Sequence, residues 1–146
     1  MSSLAFENAT TADLPAIREL LVSLNLPAQD LGAPNQRFLV ARDGGELAGC
    51  VGLETYGHVA LLRSFAVAVP RQGNGIGRAL HEKALRVARA SGINYVFLLT
   101  TTAEKFFARE GYSRVDRGTV PAPVQASAEF RSLCPATAVC MTKRLV

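Results

Sequence analysis

The spacing of apolar residues along the chain predicts two amphipathic helices. Over 14–24 the apolar positions recur at intervals of three and four residues, which places four of them on one side of a helix ending near Asn25: Leu14, Ile17, Leu21 and Leu24. A second stripe, at positions 80, 84 and 87, belongs to a helix that opens at 73–76 and runs to about Ala90. His81, on the flank of this second helix, is expected at the surface.

Between and around these helices, apolar runs predict seven strands. The runs cover residues 4–8, 37–42, 46–54, 58–69, 93–100, 112–116 and 138–145. Asp43-Gly44-Gly45 joins the second run to the third, which is typical of a hairpin. The runs 58–69 and 93–100 are almost continuously apolar, as in strands buried on both faces, and the long helix lies between them, so a parallel pair is expected. The order indicates an α+β (mixed α/β) fold with helices on both faces of the sheet.

Composition restricts the class of protein. With 146 residues the chain has the size of a single domain, taken as 1–146. The net charge is +4 and the basic residues are scattered, which predicts no nucleic-acid partner; a small polyanionic ligand would explain the charge equally well. The three cysteines are widely spaced, so neither a disulfide framework nor a metal site is expected. We find no signal peptide or membrane-spanning run, so a cytoplasmic protein with no membrane partner is expected.

A glycine-rich turn between the central apolar strand and the long helix is the first candidate for chemistry. It reads Gln72-Gly73-Asn74-Gly75-Ile76-Gly77. Glycines allow a sharp turn and a close approach of the backbone to a ligand, and the free N–H groups of a helix start favour an anion. A plain strand–helix turn is the alternative. The turn lies in the middle of the chain, no acidic residue follows at the end of the next strand, and no Gly-Lys-Ser/Thr is present, so a dinucleotide or nucleoside triphosphate fingerprint is disfavoured.

In this context the sequence resembles the GCN5-related N-acetyltransferase (GNAT) superfamily over nearly its whole length. Phe65-Ala66-Val67 followed by Gln72-x-x-Gly75-x-Gly77 is similar to the acetyl-CoA motif of the family, and 106–112 (FFAREGY) to its second signature. The resemblance implies a mixed, mostly antiparallel sheet of about six or seven strands with a splay between the two central strands. It also implies acetyl-CoA as cosubstrate, held by fourteen residues: Phe65, Ala66, Val67, Gln72, Gly73, Asn74, Gly75, Ile76, Gly77, Arg78, Thr100, Thr102, Phe106 and Phe107.

A narrower resemblance is to small acetyltransferases of arsenic-resistance operons and to the acetyltransferase domain of N-acetylglutamate synthases. It is carried by 61–64 (LLRS), 98–103 (LLTTTA) and the tail 129–143. The resemblance implies that the chain acetylates the amine of an amino acid or a similar small molecule, and it leaves a homodimer open. The chain departs from the family at three positions: Phe107 replaces the usual acid Tyr, Thr100 replaces an Asn, and Leu61 replaces a Glu of the synthases. A non-catalytic acetyl-CoA sensor is therefore the alternative function.

Because of these departures, the candidate acid and base are chosen from other polar residues. Glu54, interpreted as a strand-end residue, is the favoured base, acting through water; an exposed structural carboxylate is as good an interpretation, and His58 is the alternative base. A hydroxyl such as that of Ser132, or water, would reprotonate the leaving thiolate.

Arg63 is the most informative polar residue because it interrupts an apolar strand. Its guanidinium either pairs with Glu54 or binds an anionic group of the substrate, and the second is favoured because the strand offers no anion. Strand alternation would place it on one face with Leu61, Phe65 and Val67. The predicted substrate-binding residues are Arg63, Ser64, Arg131 and Cys134.

Overall fold

The structure, a computed structural model, describes residues 4–146, which form seven strands and four α-helices. The strands are β1 Leu4–Asn8, β2 Gln36–Asp43, β3 Glu46–Tyr56, β4 Val59–Val67, β5 Tyr95–Thr100, β6 Ser113–Arg114 and β7 Val139–Arg144. The helices are α1 Leu14–Ser23, α2 Ile76–Ala90, α3 Glu104–Arg109 and α4 Ala122–Gln125, and a further helical turn covers Glu129–Leu133. Across 4–146 we find no helix with the length and apolar character needed to span a membrane.

The seven strands form one sheet in the order β1-β2-β3-β4-β5-β7-β6, and this confirms the predicted α+β fold with a mostly antiparallel sheet. Among the described residues, the one parallel pair is β4 with β5, the pair that the strand–helix–strand order predicted. Its ladder joins only Val59–Leu61 to Tyr95–Phe97. Beyond that point β4 continues with β3 on one side and β5 with β7 on the other. The centre of the sheet therefore opens into the predicted splay.

Helices pack on both faces of the sheet. On one face, α2 and α3 bury Leu80, Ala84 and Phe107 against the sheet. On the other face, α1 buries Ile17 and Leu21 against β2, β3 and β4, and Val124 of α4 packs against Leu61 and residues of β5 and β7. The apolar stripe in the sequence identified the buried side of α1, and Leu80 and Ala84 of the α2 stripe are also buried. The buried side of α2 is wider than that stripe and includes His81.

The sixth strand is much shorter than the predicted 112–116. Tyr112 is buried because its ring packs against Phe107, 5.3 Å between centroids, instead of extending the strand. Only Ser113 and Arg114 pair with β7, opposite Thr142 and Met141. The strand at this edge is thus two residues long.

A β-bulge in β4 corrects the expected alternation of its side chains. Cys50 of β3 pairs with Ala66 but Gly52 pairs with Arg63, so β4 carries one extra residue between these pairs. Ser64 has a φ of 53°, in the left-handed region, which is rare for a residue with a side chain. Phe65 and Val67 consequently join the core on the α2 face together with Leu62, whereas Leu61 packs on the opposite face. The prediction that Phe65 and Val67 share a face with Leu61 and Arg63 is wrong.

Candidate active site

A cleft of about 550 Å³ opens where β4 and β5 separate. Its walls come from the connection after α1, the facing ends of β4 and β5, the loop leading into α3, and the tail after α4. The lining residues are 24–27, 29, 62–65, 72, 98–103, 107, 129, 133–135 and 138. Eight of the predicted site residues are among them: Arg63, Ser64, Phe65, Gln72, Thr100, Thr102, Phe107 and Cys134.

The glycine-rich turn lies at the end of the cleft, where β4 leads into α2. Gly73 and Gly75 have φ values of 85° and 80°, and a Cβ atom at either residue would have no atom within 4 Å. The first intrahelical hydrogen bond runs from Ala79 N–H to Gly75 C=O, so the amides of Ile76–Arg78 have no partner within the helix. Open space in front of free N–H groups at a helix N-terminus suits a phosphate group.

Two side chains hold this turn in place. The Gln72 amide donates to the carbonyl of Val67 at 2.9 Å and closes the turn onto the end of β4. Arg71 donates to Asp43 and lies 3.3 Å from Glu46, which ties the turn to the β2–β3 hairpin. Arg71 is therefore matched by carboxylates, whereas the Arg78 side chain is 71% exposed and has only distant contacts with Glu82 and Glu110, at 3.6 and 3.8 Å. Arg78 is the cation that remains available at the turn.

Aromatic rings form the wall of the cleft on the α2 side. Phe65 lies 5.5 Å from Phe106 and 5.7 Å from Phe107, measured between ring centroids. Behind them, the His81 ring packs against both Phe106 and Phe107, and its Nε2 lies 2.9 Å from the Tyr112 hydroxyl. His81 is 1% exposed, so the expectation of a surface position is wrong, and burial lowers the pKa of its imidazole. Phe107 is packed on the interior, and its ring presents only carbon to the cleft.

Arg63 lies on the opposite wall and is surrounded by carboxylates. Its Nη1 donates to Asp30 Oδ2 at 2.6 Å and to Glu54 Oε1 at 2.8 Å. Its Nη2 contacts the second Asp30 oxygen and lies 3.5 Å from Glu129 Oε2, and its Nε donates to the Ser64 hydroxyl at 3.1 Å. The side chain is fully buried. The alternative pairing of Arg63 with Glu54 is present, and carboxylates from outside β4 supply the anions that the strand itself lacks. The role of Arg63 toward a substrate anion stays a prediction.

Glu54 lies behind Arg63 and not at the surface of the cleft. Strand β3 continues to Tyr56, so Glu54 is not at the strand end, and it is only 4% exposed. One of its oxygens accepts hydrogen bonds from Arg63 and from the Gln36 amide at 3.1 Å, and the other accepts from the Tyr56 hydroxyl. Glu54 is also absent from the cleft lining. The expected exposed position at a strand end is therefore wrong. The role of Glu54 as a base acting through water stays a prediction.

Glu129, which sequence analysis did not single out, does line the cleft. It is 5% exposed, begins the helical turn Glu129–Leu133, and accepts a weak hydrogen bond from the Cys134 thiol at 3.4 Å. Burial raises the pKa of its carboxyl group, against the opposing effect of Arg63. Burial and the neighbouring Glu129 raise the pKa of Cys134 to about 12, so Cys134 remains a thiol. The only signal for Glu129 in the sequence was its membership of the tail segment 129–143.

The other predicted residues divide by position. Ser132 and Arg131 are exposed and outside the cleft lining, so the expected acid and one expected substrate ligand lie on the outer side of the turn that carries Glu129. Thr100 is buried beside the cleft and accepts the N–H of Ala103 at 2.9 Å. The alternative base, His58, is exposed at the other end of β4, with Nδ1 3.1 Å from the carbonyl of Gly92.

Known proteins of one family resemble this chain over most of its length. Residues 5–114 match the acetyltransferase (GNAT) family. The chain belongs to this family. The resemblance inferred from its motifs is thereby confirmed, as is the prediction of an acyltransferase, and acetyl-CoA fits as the cosubstrate.

Relatives of this GNAT chain include enzymes named for amino acids. An amino-acid acetyltransferase of Mycobacterium tuberculosis is 33% identical over 126 residues, which are 80% of this chain and 72% of the relative. The crystal structure of Rv2747 from the same organism, in complex with CoA, is 27% identical with a TM-score of 0.75, covering 97% of this chain and 99% of that one. The N-acetylglutamate synthase of Neisseria gonorrhoeae, complexed with coenzyme A and L-arginine, shares the fold with a TM-score of 0.80 at 22% identity over 97% of this chain. This chain spans 33% of that synthase.

Proposed function

We propose that this protein transfers the acetyl group of acetyl-CoA to the amine of a small molecule, an amino acid or an amino-acid analogue. The observation that carries the proposal is the splay: past Leu61, β4 has no β5 partner, and its free edge leads along the cleft to the N-terminus of α2. An extended amide-containing arm can pair with such an edge as a strand would. A pyrophosphate at the end of that arm would reach the free amides of Ile76–Arg78 in the Gln72–Arg78 turn.

The size of the cleft and the names of the relatives support a small acceptor. A volume of about 550 Å³ is in the range of small-molecule sites and must also hold the thioester end of the cosubstrate. The Mycobacterium tuberculosis relative with 33% identity is named an amino-acid acetyltransferase. The acceptor amine would enter beside Arg63 and Glu129, opposite the aromatic wall of Phe65 and Phe107.

A thiol-release assay tests this function directly. Purified protein is incubated with acetyl-CoA and a panel of free amino acids, together with their phosphonic and arsonic analogues, and CoA formation is compared with a sample that lacks an acceptor. We expect at least one member of the panel to raise CoA release well above that background, with the N-acetylated product identified by mass spectrometry. Tight binding of acetyl-CoA without turnover on any amine would instead support a non-catalytic sensor. Preferential binding of NAD⁺ would contradict both the acetyltransferase and the sensor.

A further inference from the structure

The carboxylates around Arg63 outnumber the positive charge that they surround. Asp30, Glu54 and Glu129 all lie within 4 Å of one guanidinium, so one positive charge faces three acidic groups. A buried excess of negative charge is costly unless a cation or a proton compensates it. This wall of the cleft is therefore suited to receive an ammonium group rather than a second carboxylate.

The three carboxylates are not equivalent. Asp30 forms a bidentate pair with Arg63, and Glu54 is held by Arg63 at 2.8 Å together with Gln36 and Tyr56. Glu129 has only the 3.5 Å contact with Arg63 and the weak bond from Cys134. It also lies in the cleft wall, whereas Asp30 and Glu54 do not. Arg63 is thus neutralised mainly by Asp30 and Glu54, which leaves Glu129 as the carboxylate free to accept a proton.

From this arrangement we propose that Glu129 is the general base that takes the proton from the ammonium group of the acceptor. This inference rests on the proposed N-acetyltransferase function. It assigns the role expected of Glu54 to another carboxylate beside Arg63, 75 positions later in the chain (129 − 54 = 75). Asp30 and Glu54 are positioning residues in this scheme, because they hold Arg63 where it limits the repulsion on Glu129.

Proton transfer to Glu129 precedes the attack on the thioester. One Glu129 oxygen takes a proton from R–NH₃⁺, which leaves a neutral amine and a carboxylic acid. The nitrogen lone pair then forms a C–N bond with the thioester carbonyl carbon, and the C=O π pair moves to oxygen. When that pair returns, the C–S bond breaks and the thiolate leaves, taking up the second nitrogen proton directly or through water. Glu129 finally releases its proton to solvent. The need for a base is large, because an amine with a pKa of about 10.4 is neutral in only about one molecule in 2,500 at pH 7.

The surroundings of Glu129 raise the pKa of its carboxyl group above the ordinary value. The charged and titratable groups that face it are Arg63 from β4, Glu54 from β3, Asp30 from the loop before β2, and Cys134 at the end of its own turn. Burial raises the pKa of the Glu129 carboxyl group, and the two acidic neighbours act in the same direction, while Arg63 and the Cys134 contact oppose them. A raised pKa makes the carboxylate a stronger base than a solvated glutamate.

The test compares Glu129→Gln with the native protein and with Glu19→Gln, a matched change on the exposed side of α1, outside the cleft. With the best acceptor of the amino-acid panel, we expect kcat/KM at pH 7 to fall about 100-fold or more in Glu129→Gln and to stay unchanged in Glu19→Gln. The Kd for acetyl-CoA should be the same in all three proteins. Removing one of three crowded charges should leave the Tm equal or higher, so a folding defect is not expected.

The pH profile separates a base from a structural residue. In the native protein, kcat/KM should decline with a slope of one below the Glu129 pKa; in Glu129→Gln this limb should disappear and activity should rise with pH toward the pKa of the amine. Glu129→Asp should keep the limb at a reduced rate. A Glu129→Gln enzyme with native kcat/KM and a native profile would overturn the inference. Failure of the native protein to acetylate any amine would instead overturn the proposed function. In that case a carboxyl ¹³C-NMR titration still tests Glu129 by itself, because a Glu129 carboxyl with an ordinary pKa would count against Glu129 as a base.

Discussion

Replacing Arg63 with methionine should lower the free energy of unfolding by about 3–5 kcal/mol at pH 7, because the change removes the cation from a buried ionic cluster and leaves its anions behind. The guanidinium is fully buried and contacts Asp30, Glu54 and Glu129. The methionine side chain is unbranched and fills much of the space of the arginine side chain. The lost stability therefore arises mainly from uncompensated charge and not from a cavity.

The arrangement of donors sets the size of the effect and predicts the behaviour of lysine. Arg63 uses Nη1 and Nη2 for a fork onto Asp30, while Nη1 also reaches Glu54 and Nε bonds to Ser64. An ammonium group cannot reproduce the planar fork, so Arg63→Lys should recover only part of the stability. Arg114→Met is a suitable control: Arg114 pairs with Glu104 at the surface with a side chain 67% exposed, so its loss should change the stability far less than the loss of Arg63.

The destabilisation should shrink as the pH falls. In the native protein the hydrogen bond from Arg63 holds the pKa of Asp30 below its usual value, so this carboxylate stabilises the fold above its unfolded pKa of about 3.9, and the contribution is lost as the pH falls through the lower folded value. In Arg63→Met the crowded carboxylates should have raised pKa values, so the folded variant takes up protons and gains stability at low pH. The two stability curves should therefore converge as the pH approaches 4.

Urea denaturation followed by far-UV circular dichroism measures this difference between pH 4 and 8. With an m-value of about 2 kcal/mol/M, the predicted loss at pH 7 moves the midpoint by about 2 M. An Arg63→Met protein within about 1 kcal/mol of the native protein at pH 7 would refute the reasoning. If that stable variant also showed a raised KM for the acceptor amine, the original prediction of a substrate-binding Arg63 would be favoured instead.

Three further predictions concern the turn, the aromatic wall and the buried histidine. Gly75→Val should raise the Kd for acetyl-CoA strongly in a calorimetric titration. The matched control is Gly57→Val in the β3–β4 hairpin, where the glycine also has a positive φ and open space around its Cβ position. This control should lose a similar amount of stability and leave the Kd unchanged. Phe107→Tyr should not raise kcat greatly and Phe107→Leu should keep much of it; a large gain from tyrosine would show that proton donation limits the rate. His81→Leu should flatten the loss of native stability below about pH 6.5, because burial lowers the pKa of the folded histidine and the unfolded chain binds the proton more readily; an unchanged slope in thermal unfolding scans would contradict this.

Local patterns were enough to predict most of the fold. Hydrophobic periodicity predicts elements that depend on residues close together in the sequence or on a single strand–helix–strand unit. The hairpin β2–β3, the helix α2 and the parallel pair β4–β5 are of this kind. His81 was misplaced because a single stripe was assumed to be the whole buried side of α2. In the structure α2 also packs against Phe106 and Phe107 of α3, so the buried arc of the helix is wider than the stripe that faces the sheet.

The candidate site was only half predictable. The glycine-rich turn is one continuous segment, and its glycines indicate directly where the backbone turns sharply. The cluster around Arg63 is not continuous: Asp30 lies 33 residues before it and Glu129 lies 66 residues after it (129 − 63 = 66). No periodicity links such residues, and Asp30 lies in an irregular loop. Burial of Arg63 in an apolar strand required anions from somewhere, but only the tertiary fold could identify them.

The bulge at Ser64 connects the two halves of the site. Without the extra residue, strict alternation would put Arg63 and Phe65 on the same face of β4. With it, Phe65 packs beside α2 and the helix start that would hold the cosubstrate, while Arg63 turns to the opposite wall among Asp30, Glu54 and Glu129. The left-handed Ser64 costs about 1–2 kcal/mol, yet its hydroxyl accepts from Arg63 and its carbonyl lies 3.2 Å from the Cys50 thiol. This strained residue thereby lets one strand present its aromatic side chain and its cation to opposite walls of a single cleft.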